Sequence, residues 1–357
     1  MSVAIRPLSL VDDRQELLDL LKRNLGGSQE RRWEWRHTAN PAGPAWSWCV
    51  YDQNTKATVG MASLFPRRML LDGKVMIGGQ VGDFVIDATH RSLGPAVLLQ
   101  RATFQPVDTG KIPFCYDCPP HDAGMSTFLR LGMRPNCEVV RYALLLRGDQ
   151  FIEKRLGKRV WTKPAVAASN LFLKMRRANR PMPGLEISTF DSRFDDEFSR
   201  LDESLSSSGA IRSSRSATVL NWRYRDDPMG NDALPNGSTG RYRYLVARRA
   251  GELVAFVVFF IQTDAIASIV DLFGRDLSDA GTSLLEAVIE VCRRENVNSV
   301  HGFCSSESEL KPLFERVGFR PRERAVRVVA HAKQTDAASN LLNGGLRWIF
   351  GQVEILV

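Results

Sequence analysis

The feature of this sequence that most constrains its fold is an internal repeat. Residues 35–41 and 222–228 share the pattern WRxxxxP, at an offset of 187 positions. Residues 128–135 and 314–321 share the pattern FxRxGxRP, at an offset of 186 positions. Two unrelated motifs at nearly the same offset indicate that one structural unit occurs twice in the chain.

The domain organisation follows from this repeat. We predict an N-terminal copy at residues 1–148, a basic joining segment at 149–184, a C-terminal copy at 185–332, and a tail at 333–357 that docks on the body. The length of 357 residues is consistent with two domains, because a domain usually holds about 100–200 residues.

The two copies are predicted to contain the same order of elements, β-α-α-β-β-β-α-β-α-β, with a strand pair at the end. The spacing of apolar residues is typical of a helix where it repeats every three to four positions and of a strand where it alternates. In the N-terminal copy these patterns predict strands at 3–7, 46–51, 59–65 and 75–87 and a helix at 95–104. In the C-terminal copy they predict strands at 244–248, 253–261 and 267–273 and a helix at 283–292.

Composition excludes several classes of protein. The chain is 44% hydrophobic and 25% charged, which fits a soluble globular protein rather than a disordered one. No apolar run approaches the roughly 18–20 residues of a membrane span, so none is expected. Six cysteines in so long a chain do not form a disulfide scaffold, and we predict a cytoplasmic location with reduced thiols.

The net charge of +8 is concentrated in one part of the chain. Ten basic and two acidic residues lie between Arg147 and Arg180. Such a segment is either a solvated connector or a basic face that contacts RNA or a membrane surface. The sequence leaves both interpretations open.

A turn between the fourth strand and the third helix of the N-terminal copy reads Arg91-Ser92-Leu93-Gly94-Pro95-Ala96. A helix N-terminus exposes unpaired N–H groups and a partial positive charge, and glycine has no Cβ to keep an anion away. We therefore predict that an anion such as a diphosphate binds here. The equivalent turn of the C-terminal copy, residues 278–283, has no arginine and contains Asp279, whose charge disfavours an anion.

The order of elements, together with a turn that matches the pattern Q/R-x-x-G-x-G/A, resembles the GNAT superfamily of acyl-CoA-dependent N-acyltransferases. The resemblance covers most of the chain, twice over. It implies an α/β (α+β) fold of two tandem GNAT-like domains, each with a mixed, mostly antiparallel twisted sheet flanked by helices. It also implies acetyl-CoA or another acyl-CoA as co-substrate, no metal, and an amine of a small molecule or amino sugar as acceptor. The residues implied in binding the co-substrate are Val85, Ile86, Arg91, Ser92, Leu93, Gly94, Pro95 and Ala96.

The resemblance also implies how an amine would attack the thioester. A backbone N–H near Ile86 or Asp87 would hold the thioester oxygen, and Asp83 or Asp87 would take a proton from the amine. Many family members have a tyrosine that protonates the leaving thiolate, but that position holds phenylalanine in both copies. Tyr116 or Tyr142 is a candidate replacement, and catalysis by positioning alone is the alternative.

Two other functions stay open at this point. Fem-type aminoacyl transferases also use paired GNAT-like domains and take aminoacyl-tRNA, in which case the basic segment would contact RNA. A GNAT-like binding module without catalytic activity is consistent with the missing tyrosines. The pattern CxxCxxH formed by Cys115, Cys118 and His121 is a weaker sign of zinc or redox chemistry, because strand alternation puts the two cysteines on opposite faces.

Overall fold

The computed structural model describes residues 3–25, 30–148, 182–205, 209–229, 239–333 and 340–355. All but the last three residues of the predicted basic segment lie outside these ranges. The N-terminal copy contains β1 (Val3–Pro7), α1 (Arg14–Leu25), α2 (Glu30–His37), β2 (Trp46–Asp52), β3 (Thr58–Leu71), β4 (Lys74–Ile86), α3 (Leu93–Asp108), β5 (Phe114–Asp117), α4 (Asp122–Arg130) and β6 (Cys137–Leu145).

The C-terminal copy repeats this order with one additional strand, β8. Its elements are β7 (Leu185–Thr189), α5 (Asp196–Ser204), β8 (Ala210–Ser213), α6 (Ala217–Tyr224), β9 (Gly240–Arg249), β10 (Glu252–Gln262), β11 (Ile266–Gly274), α7 (Thr282–Arg294), β12 (Ser299–Ser305), α8 (Leu310–Val317) and β13 (Arg320–Ala332). The tail adds β14 (Arg347–Trp348) and α9 (Gln352–Ile355). Each copy ends in one strand where the sequence predicts a pair.

One large sheet runs through both copies. Its strand order is β1-β2-β3-β4-β5-β13-β6-β12-β11-β10-β9-β7, and β8 joins at the far end of β3. Within that order, β4–β5 and β11–β12 are parallel and the other neighbouring strands are antiparallel. This mixed, mostly antiparallel sheet, flanked by helices, confirms the predicted fold class.

The last strand of each copy lies in the sheet of the other copy. β6 pairs with β12, β13 pairs with β5, and β6 and β13 pair with each other at the centre. The hydrophobic cores are exchanged in the same way. Tyr142 and Leu144 of β6 pack in the core of the C-terminal copy, and Val329 of β13 packs in that of the N-terminal copy. The duplicated sequence unit is therefore not a self-contained structural unit.

Helices cover both faces of the N-terminal half of the sheet. Leu17 and Leu21 of α1 pack against Met61 and Val85, on the face that also carries α2. Leu99 and its neighbours on α3 pack on the opposite face. We call the first of these the α1–α2 face and the second the α3 face.

The tail packs between the two copies. β14 pairs with β8, and Gly351 forms a bridge with Cys304 of β12. Leu341, Trp348 and Phe350 are fully buried or nearly so. In the part of the chain that the structure describes, no helix is both long and apolar enough to cross a membrane.

Candidate active site

The turn before α3 has the geometry of an anion-binding site. α3 begins at Leu93, after Ser92 in extended conformation, and the Ser92 side chain makes no capping hydrogen bond within the described chain. A Cβ built on Gly94 would meet no heavy atom within 4 Å. Pro95 lacks an N–H, so the first turn presents the amides of Leu93 and Gly94 next to open space. Arg91 is exposed beside them and donates from Nε to the carbonyl of Ile86 at 3.0 Å.

The equivalent turn of the C-terminal copy is filled by the protein. It forms a π-helical turn over Leu277–Gly281, and Gly281 is buried. A Cβ on Gly281 would lie 3.0 Å from Leu313 and 3.2 Å from Leu277. The carbonyl of Ser278 accepts a hydrogen bond from Arg316. The two turns therefore differ in shape as well as in charge, and the one in the N-terminal copy is open.

A cleft begins where β4 and β5 separate. The two strands pair at Gly79–Cys115 and Gln80–Tyr116, and a bulge in β4 then turns its edge away. Asp83 in this bulge has a φ of 50°. The N–H of Asp87 bonds to Val59 of β3 at 2.7 Å, so it is not the predicted oxyanion donor. Strand alternation also points the N–H of Val85 at β3, whereas the N–H of Ile86 faces the cleft.

Asp83 lies in a buried ion-paired cluster. Its Oδ1 accepts from Arg36 at 2.8 Å, and its Oδ2 is 3.1 Å from Nε2 of His37. Burial alone would raise the pKa of Asp83, but the charge of Arg36 and the contact with His37 outweigh it and hold the pKa at about 2. Such a weak base, already paired with an arginine, does not fit the predicted role in taking a proton from the amine.

Asp87 and Tyr116 are also engaged in structural contacts. Arg23 holds both carboxylate oxygens of Asp87, at 2.9 and 2.8 Å, and Asn24 donates to one of them. Burial opposes these partners, but together they lower the pKa of Asp87. Tyr116 is buried, which raises its pKa, and its hydroxyl donates to the backbone carbonyl of Glu354 at 3.3 Å. These environments do not suit a catalytic base or acid.

The other tyrosine and the first cysteine of the CxxCxxH pattern are buried, whereas Cys118 is partly exposed and His121 is exposed. Tyr142 packs in the core of the C-terminal copy, and burial raises its pKa to about 12. Cys115 is buried, and burial raises its pKa. The described residues contain no group of three or more histidine, cysteine or acidic side chains able to hold a metal ion.

A carboxyl group that the sequence-based analysis missed lies at the cleft. Asp117 ends β5, and strand alternation places it on the α3 face, opposite Tyr116. Burial raises its pKa to about 7, and no ion pair to it is found among the described residues. A group with this pKa exchanges protons near neutral pH, as an acid or a base. The sequence signal was its position at the end of the strand that borders the cleft.

The C-terminal copy has a cleft of its own, although its turn is filled. β11 and β12 pair only at Ile266–Ser268 and Ser299–His301, and a cavity of about 280 Å³ lies beyond that point. Apolar side chains of α8 and the tail form much of its wall, among them Leu310, Phe314 and Phe350. This cleft therefore has room for a ligand but lacks an open helix terminus for a diphosphate.

Glu354 of the tail connects the two clefts. Its side chain is buried and pairs with Arg215, which also contacts Asp271 on β11. Its backbone carbonyl accepts from Nε2 of Gln80 at 3.0 Å and from Tyr116. Since Gln80 and Tyr116 stand where β4 and β5 separate, one turn of the tail touches the base of both clefts. No sequence motif marks Gln80 or Glu354, and the only signal is that each is a polar residue within an apolar strand or tail.

Several solved structures are similar in fold to this chain. A GCN5-related N-acetyltransferase from Anabaena variabilis is 13% identical, with a TM-score of 0.63 over 93% of this chain and 73% of that chain. N-myristoyltransferase from Saccharomyces cerevisiae, solved with myristoyl-CoA and inhibitors, is 13% identical, with a TM-score of 0.57 over 100% and 86%. A tandem GNAT protein from the clavulanic acid biosynthesis pathway is 14% identical, with a TM-score of 0.56 over 94% and 100%.

No protein-family model and no curated protein matches the sequence. The similarity to solved structures is a similarity of fold, and it extends over nearly the whole chain. It agrees with the repeat in the sequence, since one of these structures is itself a tandem GNAT protein. The chain is thus a GNAT-fold protein that carries two copies of the domain in tandem.

Proposed function

We propose that the chain is an acyl-CoA-dependent N-acyltransferase that uses acetyl-CoA and acylates an amine of a small molecule. The observation that carries the proposal is the contrast between the two turns. The turn before α3 is open, uncapped by Ser92 and flanked by Arg91, whereas its counterpart is filled by leucine side chains. We assign the co-substrate to the N-terminal copy on this basis.

The residues of the turn fit a diphosphate by charge and by space. The amides of Leu93 and Gly94 point outwards at the positive end of the α3 dipole, where an anion is stabilised by roughly 0.3–1 kcal/mol at an exposed site. Gly94 leaves room for close approach because a Cβ there would project into open space. Arg91 adds a positive charge on the same side.

The cleft between β4 and β5 then receives the thioester, which supplies the activated acyl carbonyl. The cleft-facing N–H of Ile86 is the donor that can hold the carbonyl oxygen as it gains charge. The amine nitrogen forms its bond to the carbonyl carbon as the carbon–sulfur bond breaks. A backbone donor serves here whatever the side chain, which is why no sequence motif marks it.

Proton transfer is assigned to Asp117. With a pKa of about 7 its carboxyl is partly protonated at neutral pH, and it lies on the α3 face beside the cleft. It can give its proton to the leaving thiolate and recover one from the nitrogen through solvent, so that the reaction releases a thiol and an amide. Phe128 stands at the position of the usual tyrosine and is buried in the core.

The test is thermal unfolding with and without acetyl-CoA for the wild type and for Gly94→Ala. Because a Cβ at position 94 meets no neighbour, the variant should unfold at or above the wild-type temperature without ligand. It should lose most of the stabilisation by acetyl-CoA, which reaches about 2.7 kcal/mol at 100 times the dissociation constant.

Gly281→Ala is the matched control. Its Cβ would lie 3.0 Å from the end of the Leu313 side chain and away from the open turn, so this variant should still respond fully to acetyl-CoA. If Gly281→Ala loses the ligand response and Gly94→Ala keeps it, the co-substrate belongs to the C-terminal copy. If the wild type does not respond to acetyl-CoA at all, the proposed function is wrong.

A further inference from the structure

A buried arginine at the base of the first cleft has no counter-ion. Arg67 of β3 is 6% exposed, and its Nε donates to Oε1 of Gln80 at 2.9 Å. Its guanidinium lies over the ring of Trp222, with 5.2 Å to the ring centroid. Nη1 has no hydrogen-bond partner, and no acidic side chain of the described residues forms an ion pair with Arg67.

This isolation is exceptional among the buried arginines that the structure describes. The other four buried arginines among the described residues each pair with a carboxylate: Arg32 with Asp227, Arg36 with Asp83, Arg212 with Asp202, and Arg215 with Asp271 and Glu354. A buried charge without a partner is strongly unfavourable. The site around Arg67 therefore lacks one negative charge.

The surroundings of Arg67 add to this imbalance. Burial lowers its pKa to about 9, and the nearby cations Arg223 and Arg36 act in the same direction. Arg67, Trp222 and Arg223 also line a crevice of about 10 Å³, the size of a single water molecule. This space holds a single oxygen atom of a ligand beside the guanidinium.

The position of Arg67 relates it to the acceptor rather than to the co-substrate. Gln80, which orients Arg67, stands opposite Tyr116 in the last pair before β4 and β5 separate. Strand alternation puts Arg67 on the same face as Met61 and Phe65, the α1–α2 face. The open turn belongs to α3, on the opposite face of the sheet. Arg67 therefore lies across the sheet from the co-substrate turn, near the point where β4 and β5 separate.

We propose that Arg67 binds a carboxylate of the acceptor, so that the acceptor is an amino acid or another amine that bears a carboxylate. This inference rests on the proposed acyl transfer. The carboxylate supplies the missing charge, and Nη1 of Arg67 is a free donor for a charge-assisted hydrogen bond. Arg67 is a binding residue in this scheme and takes no part in bond making.

The experiment measures transfer from acetyl-CoA to the twenty protein amino acids and to the amines that remain when each loses its carboxylate. The wild type should prefer at least one amino acid over its amine by about tenfold or more in kcat/KM. Arg67→Met should abolish the preference, mainly by raising KM, and Arg67→Lys should retain part of it. Arg200→Met, a change at an exposed arginine of α5 that does not line this crevice, should leave the preference intact.

A second measurement separates failure of this inference from failure of the proposed function. The amino acids alone should raise the unfolding temperature of the wild type but not of Arg67→Met, and this readout needs no acyl transfer. Ligand-free Arg67→Met should unfold at or above the wild-type temperature, because it removes an unpaired buried charge. The inference is overturned if Arg67→Met keeps the preference for carboxylates. It is also overturned if no amino acid stabilises the wild type and both Arg67 variants unfold several degrees lower.

Discussion

Two aspartates that border the first cleft have opposite electrostatic environments. Asp83 faces the α1–α2 side, where Arg36 and His37 hold its pKa at about 2 in spite of burial. Asp117 lies on the α3 face without a cationic partner among the described residues, and burial raises its pKa to about 7. Carboxyl groups whose pKa values are driven apart in this way have different tasks. Asp83 fixes the bulge of β4 against α2, and Asp117 is left to exchange protons.

The shift at Asp117 predicts a gain of stability from Asp117→Asn. Because the folded pKa lies above the unfolded value of about 3.9, the native state binds more protons between these limits and loses stability as pH rises from 4 to 7. The variant should therefore unfold at a higher temperature than the wild type at pH 8 and at a similar one at pH 4. The gain stays below about 4 kcal/mol, because the residue is half-buried.

The pH dependence of turnover gives the control for this prediction. Asp117→Asn should lower kcat and remove the ionisation near pH 7 from the kcat profile. A variant with unchanged kcat and an unchanged profile would leave Asp117 without a role in proton transfer.

At the scale of elements, the sequence predicts local structure well and long-range pairing poorly. The alternating and helical patterns predict β2, β4 and α3 to within a few residues, and Arg91 and Gly94 mark the open turn. The turn of the C-terminal copy is filled partly by Leu313, and this residue lies in α8, some thirty residues further along the chain. The four residues of β8 are a strand only because β3 and the tail pair with them. The sequence does not single out Arg67, because only the structure shows that no acidic side chain of the described residues forms an ion pair with it.

The tail is predicted to stabilise the molecule through its aromatic residues. Phe350 is fully buried and contacts Tyr116 and Trp348, with ring centroids 5.2 and 5.0 Å apart. Phe350→Ala should lower the free energy of unfolding by about 3–5 kcal/mol, as measured by urea denaturation. Leu342→Ala, at a position that is 38% exposed, should change it by no more than about 0.5 kcal/mol. Equal effects of the two changes would show that the tail does not pack as described.

At the scale of the whole molecule, the repeat predicts two copies but not how they share strands. Neither β6 nor β13 has a strict alternation of buried and exposed residues, so the pattern alone does not tell which of them lies beside β5 and which beside β12. The observed pairing puts β13 beside β5 and β6 beside β12. The joining segment that leads from β6 to β7 carries no signal of this choice. The exchange makes the two cores depend on each other.

We therefore predict one cooperative unfolding transition for both copies. Phe128 and Phe314 occupy equivalent positions of the repeat, and each is buried in a different core. Phe128→Ala and Phe314→Ala should each lower the temperature of the same calorimetric transition, which stays single. Two transitions, with each substitution moving only one of them, would contradict the shared architecture.

The exchange of β6 and β13 bears on how such a chain could have arisen. A polypeptide with one copy of the repeat would leave β5 with a bare edge and its own last strand without a sheet, two defects that a second identical molecule repairs at once. Gene duplication then joins the partners of a strand-swapped homodimer in one reading frame. After that, the two halves can diverge in chemistry, but they stay together because the sheet of each contains the last strand of the other.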